Sequence, residues 1–274
     1  MVRVALLQMT SGIDPEANLA AIDNAAKEAA ENDAQILFLP EMALLLDRNR
    51  KRAAEWIESP ASEDMIGALE YIATAYMIDL AVGSLPVSTS HGKWANRSLY
   101  IGHMALLEAS YDKMHMFDVE LATGESWRES SAYRPGEEVV TVENTPIGRL
   151  GLTICYDIRF PALFDELGRR ECDAIAIPAA FTVPTGKAHW HLLQRARAVE
   201  ASAFVIAAAQ VGLHADGRQT YGHSLVVDPW GEVLLDMGGD APGLGVCDID
   251  LGRIAKVRRQ LPSLANKRDI PTAR

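Results

Sequence analysis

Cys155 is the residue whose placement in this sequence best suits nucleophilic chemistry. It lies in RLGLTICYDIRFP, where an apolar strand ends in a cysteine and a helix is predicted just past Pro161. A side chain at such a strand-to-turn position is exposed at the sheet edge, and the N–H groups of Tyr156 and Asp157 are left free to face an oxyanion. A small buried core residue is the commoner fate of cysteine, so placement alone does not settle its role.

Two further residues have side chains that could assist a thiol. Glu41 follows ILFLP, so its carboxylate stands directly beyond the end of an apolar strand, where ligands of α/β sheets bind. Lys113 lies in YDKMHMFD, where aromatic and thioether groups would partly desolvate its ammonium. Taken singly, a solvated loop glutamate and a surface lysine are the ordinary interpretations.

Taken together, the three residues predict attack of a thiol on a carbonyl carbon. A thiol with an ordinary pKa of ~8.5 is mostly neutral at pH 7, so it needs a base to take its proton as it attacks. Glu41 can be that base. The tetrahedral intermediate carries negative charge on oxygen, and a good preorganised donor stabilises it by about 3–4 kcal/mol. Lys113 and the Tyr156 N–H can supply such donors.

Short apolar runs alternate with amphipathic helical patterns and must position these residues. Asp14-Pro15 is an N-cap followed by proline at the first helical position. The first half predicts strands and helices in the order β-α-β-α-β-β: Val2 to Leu7, Pro15 to about Glu31, Gln35 to Leu39, Glu63 to Met77, Leu80 to Val82, and the pair Ser98 to Ile101 and Ala105 to Ala109.

The second half repeats this alternation. Its predicted elements are the strand Leu150 to Ile154, a helix from Ala162 to Arg170, the strand Ala174 to Ile177, a helix from His189 to Ala201, the strand Phe204 to Ala208, a strand-turn-strand around Pro229-Trp230-Gly231, the strand Val246 to Ile249 and a short C-terminal helix. No low-complexity linker interrupts the pattern, so we expect one domain over residues 1–274. Apolar strands of this kind need cover on both faces, which predicts two sheets with outer helices.

Composition limits the partners. The net charge of −11 disfavours nucleic acid and anionic membranes, because phosphate binding needs clustered Lys and Arg, and favours a small-molecule substrate. No stretch approaches a bilayer-spanning length and no signal pattern opens the chain, which predicts a cytosolic protein. Three widely spaced cysteines fit a reducing compartment better than a disulfide framework.

The motifs LPE, YDKMHMFD and CYDIRFP, in this order, resemble the Glu-Lys-Cys signature of the nitrilase superfamily of carbon–nitrogen hydrolases. The resemblance extends to NRSLYI, PAAFTVPTGKAHW, RARAVEASAFVIAAAQ and YGHSLVVDPWGEV, so it covers nearly the whole chain. It implies a four-layer α-β-β-α sandwich of two mixed sheets, a thioester acyl-enzyme, no cofactor, and a homodimer or larger assembly through outer helices.

The resemblance also implies a second glutamate that positions the lysine and the base. Glu129, in WRESSAYRPG, matches its place, because its spacing to Pro135-Gly136 fits the family pattern. Glu125, in the same loop, is the alternative candidate for this second glutamate.

Within the superfamily, CYDIRFP followed by TGKAHW, AAQVGLH and YGHSLVVDPWG is most similar to the deaminated glutathione amidases, with the ω-amidases as the nearest alternative. Both classes act on substrates with an α-keto acid end, which a fixed guanidinium would recognise. Arg159 is the candidate, although it could instead cap a helix or pair with Asp157. Thr185, in the predicted loop before the His189 helix, could add a hydroxyl.

Three further questions concern a metal site, the fine specificity and a non-catalytic role. The histidines His115, His189, His191 and His223 are scattered in the sequence, so we predict no metal site. His191 stands where members of the superfamily often carry Glu, which leaves fine specificity undecided. A catalytically idle interaction module is the alternative from a different class, and the presence of all four polar residues argues against it.

Overall fold

The computed structural model describes residues 1–90, 92–104, 106–120, 124 and 126–268. In the first half its elements are β1 (Val2–Gln8), α1 (Pro15–Glu31), β2 (Ile36–Phe38), α2 (Arg50–Ile57), α3 (Pro60–Tyr76), β3 (Asp79–Val87), β4 (Ala95–Gly102), β5 (Leu106–Asp112), β6 (Asp118–Glu120) and β7 (Ser126–Arg128). In the second half they are β8 (Thr141–Thr145), β9 (Gly148–Leu152), α4 (Pro161–Arg169), β10 (Ala174–Ala176), α5 (Val183–Ala201), β11 (Phe204–Ala207), β12 (Val211–Leu213), β13 (Gln219–Tyr221), β14 (Leu225–Val227), β15 (Val233–Asp236), β16 (Gly243–Ile249) and α6 (Gly252–Gln260).

The strands form two mixed six-stranded sheets of related topology. The first has the order β16-β1-β2-β3-β4-β5, in which β1, β2 and β3 are parallel and the outer strands antiparallel. The second has the order β15-β14-β11-β10-β9-β8, in which β9, β10 and β11 are parallel and the outer strands antiparallel. The parallel strands at the centre of each sheet end at one edge, where ligands bind in open α/β sheets.

Alternation along the central strands explains the four layers. On β1, Val4 and Leu6 belong to the core between the sheets, whereas Ala5 and Leu7 belong to the core under α1 and α3. Side chains alternate between faces along a strand, so a run that is apolar at every position buries both faces. Helices α4 and α5 cover the second sheet through residues such as Trp190.

The predicted four-layer α-β-β-α sandwich of two mixed sheets is confirmed. The N-cap of α1 is also as predicted, because Asp14 Oδ1 accepts hydrogen bonds from Glu16 N and Ala17 N at 3.0 and 3.4 Å. The helix predicted from His189 begins earlier, at Val183. Helix α2, strand β8 and the hairpins β6–β7 and β12–β13 were not predicted, because short, mostly polar elements carry little periodic signal. No helix in the described ranges is long and apolar enough to cross a bilayer.

Gly83 fixes the position of the segment that leads to Glu41. A Cβ at this residue of β3 would collide with the carbonyl oxygens of Leu39 and Pro40, which are backbone atoms and cannot turn aside. The neighbouring Ser84 N–H donates to the Pro40 carbonyl at 3.2 Å. The absence of a side chain therefore lets two backbones meet directly before Glu41.

We predict that Gly83→Ala lowers the free energy of unfolding by about 1–3 kcal/mol, because an added methyl group overpacks a rigid contact. Urea denaturation followed by circular dichroism measures the change. The matched control is Gly67→Ala, in α3, where a Cβ would meet nothing within 4 Å. It should raise stability by about 0.5–1 kcal/mol, as expected for a helix interior. Equal stabilities of the two variants would show that the close approach at Gly83 is not a constraint.

Candidate active site

Four polar side chains from separate elements meet at one cavity of about 730 Å³. Glu41 follows β2, Lys113 follows β5, and Cys155 follows β9. Glu129 opens a 3-10 turn, Glu129–Ser131, directly after β7. The structure therefore brings together all four residues that the sequence singled out. Glu125 lies outside the described residues.

The Lys113 ammonium lies between two carboxylates. Its Nζ is 2.9 Å from Glu41 Oε1, and 3.1 and 2.9 Å from Glu129 Oε1 and Oε2. The side chains of Lys113, Glu41 and Glu129 are only 2%, 7% and 12% exposed. Water is thus largely excluded from a cluster with one cation and two anions.

Cys155 lies against this cluster in a left-handed backbone conformation. Its φ is +49°, which a residue with a side chain rarely adopts, and its N–H donates to Pro178 O at 2.8 Å. The thiol lies beside the Glu41 carboxylate, and each group shifts the pKa of the other. Cys155 is 8% exposed, so the sulfur touches the cavity at one side only.

Burial and charge set the protonation states of the cluster. Burial, and then the charge of Glu41, raise the pKa of the Cys155 thiol well above 9.0, although Lys113 acts in the opposite direction. Burial also acts to raise the pKa of Glu41, but the Lys113 charge and hydrogen bonds outweigh it and hold that pKa below 4.5. For Lys113, burial is opposed and exceeded by Glu129 and Glu41, so its pKa lies well above 10.5. At neutral pH the cluster therefore holds a thiol, an ammonium and ionised Glu41.

One of the two backbone donors expected beside Cys155 is not free. The Asp157 N–H donates to Ile154 O at 3.1 Å, because residues 155–159 form a 3-10 turn. The Tyr156 N–H has no hydrogen-bond partner among the described residues, and Tyr156 lines the cavity. Only the Tyr156 N–H thus remains as a backbone donor of the kind predicted.

The Asp157 carboxylate has a different part in the structure. It is fully buried and accepts hydrogen bonds from Ile154 N at 2.9 Å, Tyr111 Oη at 2.7 Å and His115 N at 3.0 Å. The His115 ring Nδ1 lies 2.8 Å from the same carboxylate. Asp157 therefore joins the turn that carries Cys155 to the segment that carries Lys113.

The two predicted carboxylate-binding residues line the same cavity. The Arg159 guanidinium is not paired with Asp157; it lies 3.3 Å from His189 Nδ1 and 5.4 Å from the centre of the Phe181 ring. Thr185 lies in the first turn of α5 rather than in a loop, and its Oγ1 is 2.9 Å from Thr182 Oγ1. The Thr185 hydroxyl is thus partly occupied by its own turn.

Sequence reasoning missed two residues that hold Glu41. Asn96 Nδ2 donates to Glu41 Oε1 at 3.0 Å and to Glu129 Oε1 at 3.3 Å, and it is fully buried. Gln210 Nε2 donates to the Glu41 carbonyl at 3.0 Å. Gln210 ends the apolar run AAAQ, which was an available signal, whereas Asn96 stands beside the polar Arg97 and Ser98 in NRSLYI and does not stand out. The Ala180 N–H, at 3.0 Å from Oε2, completes the contacts of Glu41.

The histidines are scattered in the sequence, but the fold brings two of them together. His191 Nε2 and His223 Nδ1 lie 2.8 and 2.9 Å from the two oxygens of Asp236, so the three side chains form one cluster. Their ligand atoms lie within 4.8 Å of one another, a spacing that a cation could bridge. His115 and His189 lie elsewhere, beside Asp157 and Arg159. The absence of a metal stays a prediction.

Comparison with known proteins identifies the class. The sequence matches the carbon-nitrogen hydrolase family over residues 3–259. A deaminated glutathione amidase of Yersinia enterocolitica is 39% identical over 97% of this chain and 92% of its own. The chain therefore belongs to the carbon-nitrogen hydrolase family and is a hydrolase acting on carbon–nitrogen bonds other than peptide bonds.

Solved structures show the same fold. The crystal structure of the Caenorhabditis elegans NitFhit protein superposes on this chain with a TM-score of 0.91 at 35% identity. The match covers 97% of this chain and 65% of the NitFhit chain. An amidase from Nesterenkonia sp. AN1, solved after Michael addition of acrylamide at its active site cysteine, gives a TM-score of 0.80 at 27% identity, with 96% and 98% coverage.

We predict that Asp157→Ala lowers the free energy of unfolding by about 3–5 kcal/mol, because it leaves buried donors from two segments without an acceptor. Urea denaturation measures the loss. The control is Glu143→Ala, which removes a carboxylate whose side chain is 53% exposed in its pair with Arg149. Such a surface change should stay within about 0.5 kcal/mol. A loss at Asp157 no larger than at Glu143 would contradict its linking role.

Proposed function

We propose that the chain is an amidase that cleaves a carboxylate-bearing linear amide through a thioester on Cys155, with deaminated glutathione as the substrate. The observation that carries this proposal is the buried cluster in which Lys113 contacts Glu41 and Glu129 beside the Cys155 thiol. Glu41 is the general base, Lys113 and the Tyr156 N–H stabilise the oxyanion, and Glu129 positions Lys113.

Acylation begins with proton transfer. As the Cys155 sulfur attacks the amide carbon, its proton passes to the neighbouring Glu41 carboxylate. The carbonyl oxygen becomes an oxyanion, which accepts hydrogen bonds from Lys113 Nζ and the Tyr156 N–H. Protonated Glu41 then gives its proton to the nitrogen, the C–N bond breaks, and the amine leaves.

Deacylation uses the same groups once more. Glu41 takes a proton from a water molecule as that water attacks the thioester carbon. The C–S bond breaks, the acid leaves, and the Cys155 sulfur recovers its proton. No group outside the chain and the water is required.

The charge distribution explains why a neutral thiol suits this site. At rest, one ammonium faces two carboxylates beside a neutral thiol. In the tetrahedral intermediate, Glu41 is protonated and the oxyanion is charged, so the total charge is unchanged and only its location differs. Ionising Cys155 without protonating Glu41 would instead add a further negative charge to a buried cluster, which burial penalises. Attack coupled to proton transfer avoids that cost.

Arg159 supports the choice of substrate. Its guanidinium lines the cavity with Cys155 and has no carboxylate partner in the described part of the chain. A guanidinium matches a carboxylate with two parallel hydrogen bonds, so Arg159 would bind the α-keto acid end, with the Thr185 hydroxyl beside it. Relatives named deaminated glutathione amidase, from Yersinia enterocolitica to mouse, favour this substrate. The ω-amidase reaction on 2-oxoglutaramate is the second candidate, since it presents the same α-keto acid.

We also propose a cytosolic homodimer or larger assembly that contacts neither nucleic acid nor membrane. Apolar side chains on the outer surface support the assembly: Leu192 on α5 is 67% exposed, and Trp230 and Leu261 are 51% and 52% exposed. A catalytically idle interaction module is disfavoured, because burying an ion cluster costs stability that such a module would have no reason to bear.

We predict that Cys155→Ala abolishes release of 2-oxoglutarate from deaminated glutathione while the protein stays folded, because no other thiol can form the thioester. Cys172→Ala is the control. Cys172 is fully buried, and burial raises its pKa to about 12, so it should be dispensable for turnover. An active Cys155→Ala variant together with an inactive Cys172→Ala variant would refute the assignment.

We predict a flat profile of kcat/KM between about pH 5.5 and 8.5, because the reactive form needs ionised Glu41 and neutral Cys155. Activity should fall as the pH drops through the Glu41 pKa, which lies below 4.5. It should also fall as the pH rises through the Cys155 pKa, which lies above 9.0. Circular dichroism at each pH controls for unfolding. A rate that climbs tenfold per unit between about pH 6 and 8 would indicate a free thiolate nucleophile and contradict the proposed base.

A further inference from the structure

The cavity is lined by positive charge in an acidic protein. The chain carries a net charge of −11, yet six basic side chains and only three acidic ones are found among the described lining residues. The acidic three are Glu41, Asp47 and Glu129, and the basic six are Arg48, Arg50, Lys113, Arg128, Arg159 and Arg218. Clustered cations of this kind attract anionic ligands.

Most of these cations already have partners. Arg218 pairs with Asp216 at 2.8 Å, and Arg128 pairs with Glu120 at 2.8 Å. The Arg48 guanidinium has neither a hydrogen bond nor an ion pair with any residue in the described ranges. Arg50 donates only to Arg128 O and Ser131 Oγ. Among the described lining residues, Arg48, Arg50 and Arg159 are therefore the guanidinium groups without a carboxylate partner, and of these three only Arg48 has no hydrogen-bond partner either.

Arg48 is nevertheless held in place. Its guanidinium carbon lies 5.2 Å from the centre of the Trp127 ring, and that of Arg218 lies 5.0 Å from the same ring. The Asp216 carboxylate accepts a hydrogen bond from the backbone N–H of Arg48 at 3.0 Å and another from the side-chain Nε of Arg218 at 2.8 Å. Arg48, Trp127 and Arg218 thus form one cationic wall of the cavity. They come from three segments: the one after β2, strand β7, and the one between β12 and β13.

Arg48 and Arg159, two of these unbalanced groups, lie on different walls of the cavity. Arg159 lies against Tyr156, which follows Cys155, and against Phe181. Arg48 belongs to the segment that follows Glu41 in the chain, and its guanidinium lies against the Trp127 ring. In the proposed reaction the acyl half stays bonded to Cys155, whereas the nitrogen takes its proton from Glu41. The acyl half therefore belongs on the Arg159 wall and the amine half on the Arg48 wall.

We propose that Arg48, on Trp127 and beside Arg218, forms a subsite that binds a carboxylate on the amine half of the amide. This inference rests on the proposed function and narrows it: the enzyme prefers amides whose departing amine is itself anionic, such as a peptide with a free C-terminus, over primary amides that release ammonia. Arg48 is exposed at the rim, so the contact is partly solvated and its effect on kcat/KM is about two- to fivefold.

The test uses two substrates: deaminated glutathione, which is 2-oxoglutaramyl-cysteinylglycine, and its C-terminal carboxamide. They differ only in the C-terminal group, which is a carboxylate in the first and a neutral amide in the second. Both release 2-oxoglutarate, so one assay yields kcat/KM for each, and the acid-to-carboxamide ratio isolates recognition of the distal carboxylate. Wild type is compared with Arg48→Gln. Lys51→Gln is the matched control, because it removes one positive charge from the same segment at a residue that does not line the cavity.

We expect Arg48→Gln to lower the ratio by about two- to fivefold, mainly through KM, since the contact is remote from the reacting atoms. Lys51→Gln should keep the wild-type ratio. Arg159→Lys should lower kcat/KM for both substrates alike, because both carry the α-keto acid. A wild-type ratio in Arg48→Gln, or an equal fall in Lys51→Gln, overturns the subsite while leaving the proposed amidase intact. Failure of the wild type to hydrolyse either substrate overturns the proposed substrate, and this inference with it.

Discussion

The structure of the site depends on one buried cation, the Lys113 ammonium between Glu41 and Glu129. An ammonium or carboxylate alone at this depth would be strongly destabilised, and breaking a buried pair by removing one partner typically costs about 3–5 kcal/mol. The three groups therefore constrain one another. Their mutual attraction holds Glu41 ionised beside a thiol that burial keeps protonated. That combination of protonation states is the one that the proposed base catalysis requires.

The two sheets and the loops at their edges hold Glu41, Lys113 and Cys155 in place. Asn96 donates to Glu41 and Glu129 from the start of β4, and the Ala180 N–H reaches Glu41 from the second half of the chain. Gly83 lets the backbone of β3 meet the segment before Glu41, and Asp157 ties the Cys155 turn to the Lys113 segment. These contacts are almost all buried, so the site is fixed before substrate arrives, which favours electrostatic stabilisation of a transition state.

Much of this could be predicted from the sequence, for identifiable physical reasons. The central strands contain runs that are apolar at successive positions, such as Ile36–Phe38 and Phe204–Ala207, which predicts sheets covered on both faces. The Glu-Lys-Cys motifs fall at strand ends. Thr185 was misplaced because a helix that begins at Val183-Pro184 looks like a turn in sequence. The Asp157 N–H was expected to be free, whereas a 3-10 turn uses it locally.

The remaining features depend on contacts between distant residues. The hydrogen bonds of Asp157, the convergence of His191 and His223 on Asp236, and the wall of Arg48, Trp127 and Arg218 each join segments far apart in the chain. No local pattern specifies which loops will meet, because loop geometry follows from the packed sheets beneath.

In the proposed mechanism, Cys155 carries the acyl group during turnover. Rapid acid quenching of the enzyme with deaminated glutathione, followed by proteolysis and mass spectrometry, shows which residue is acylated. We predict that the peptide containing Cys155 gains the mass of the 2-oxoglutaryl group and that the peptide containing Cys172 does not. An enzyme that turns over rapidly while Cys155 stays unmodified at every quench time, or an acyl group found on Cys172, would contradict it.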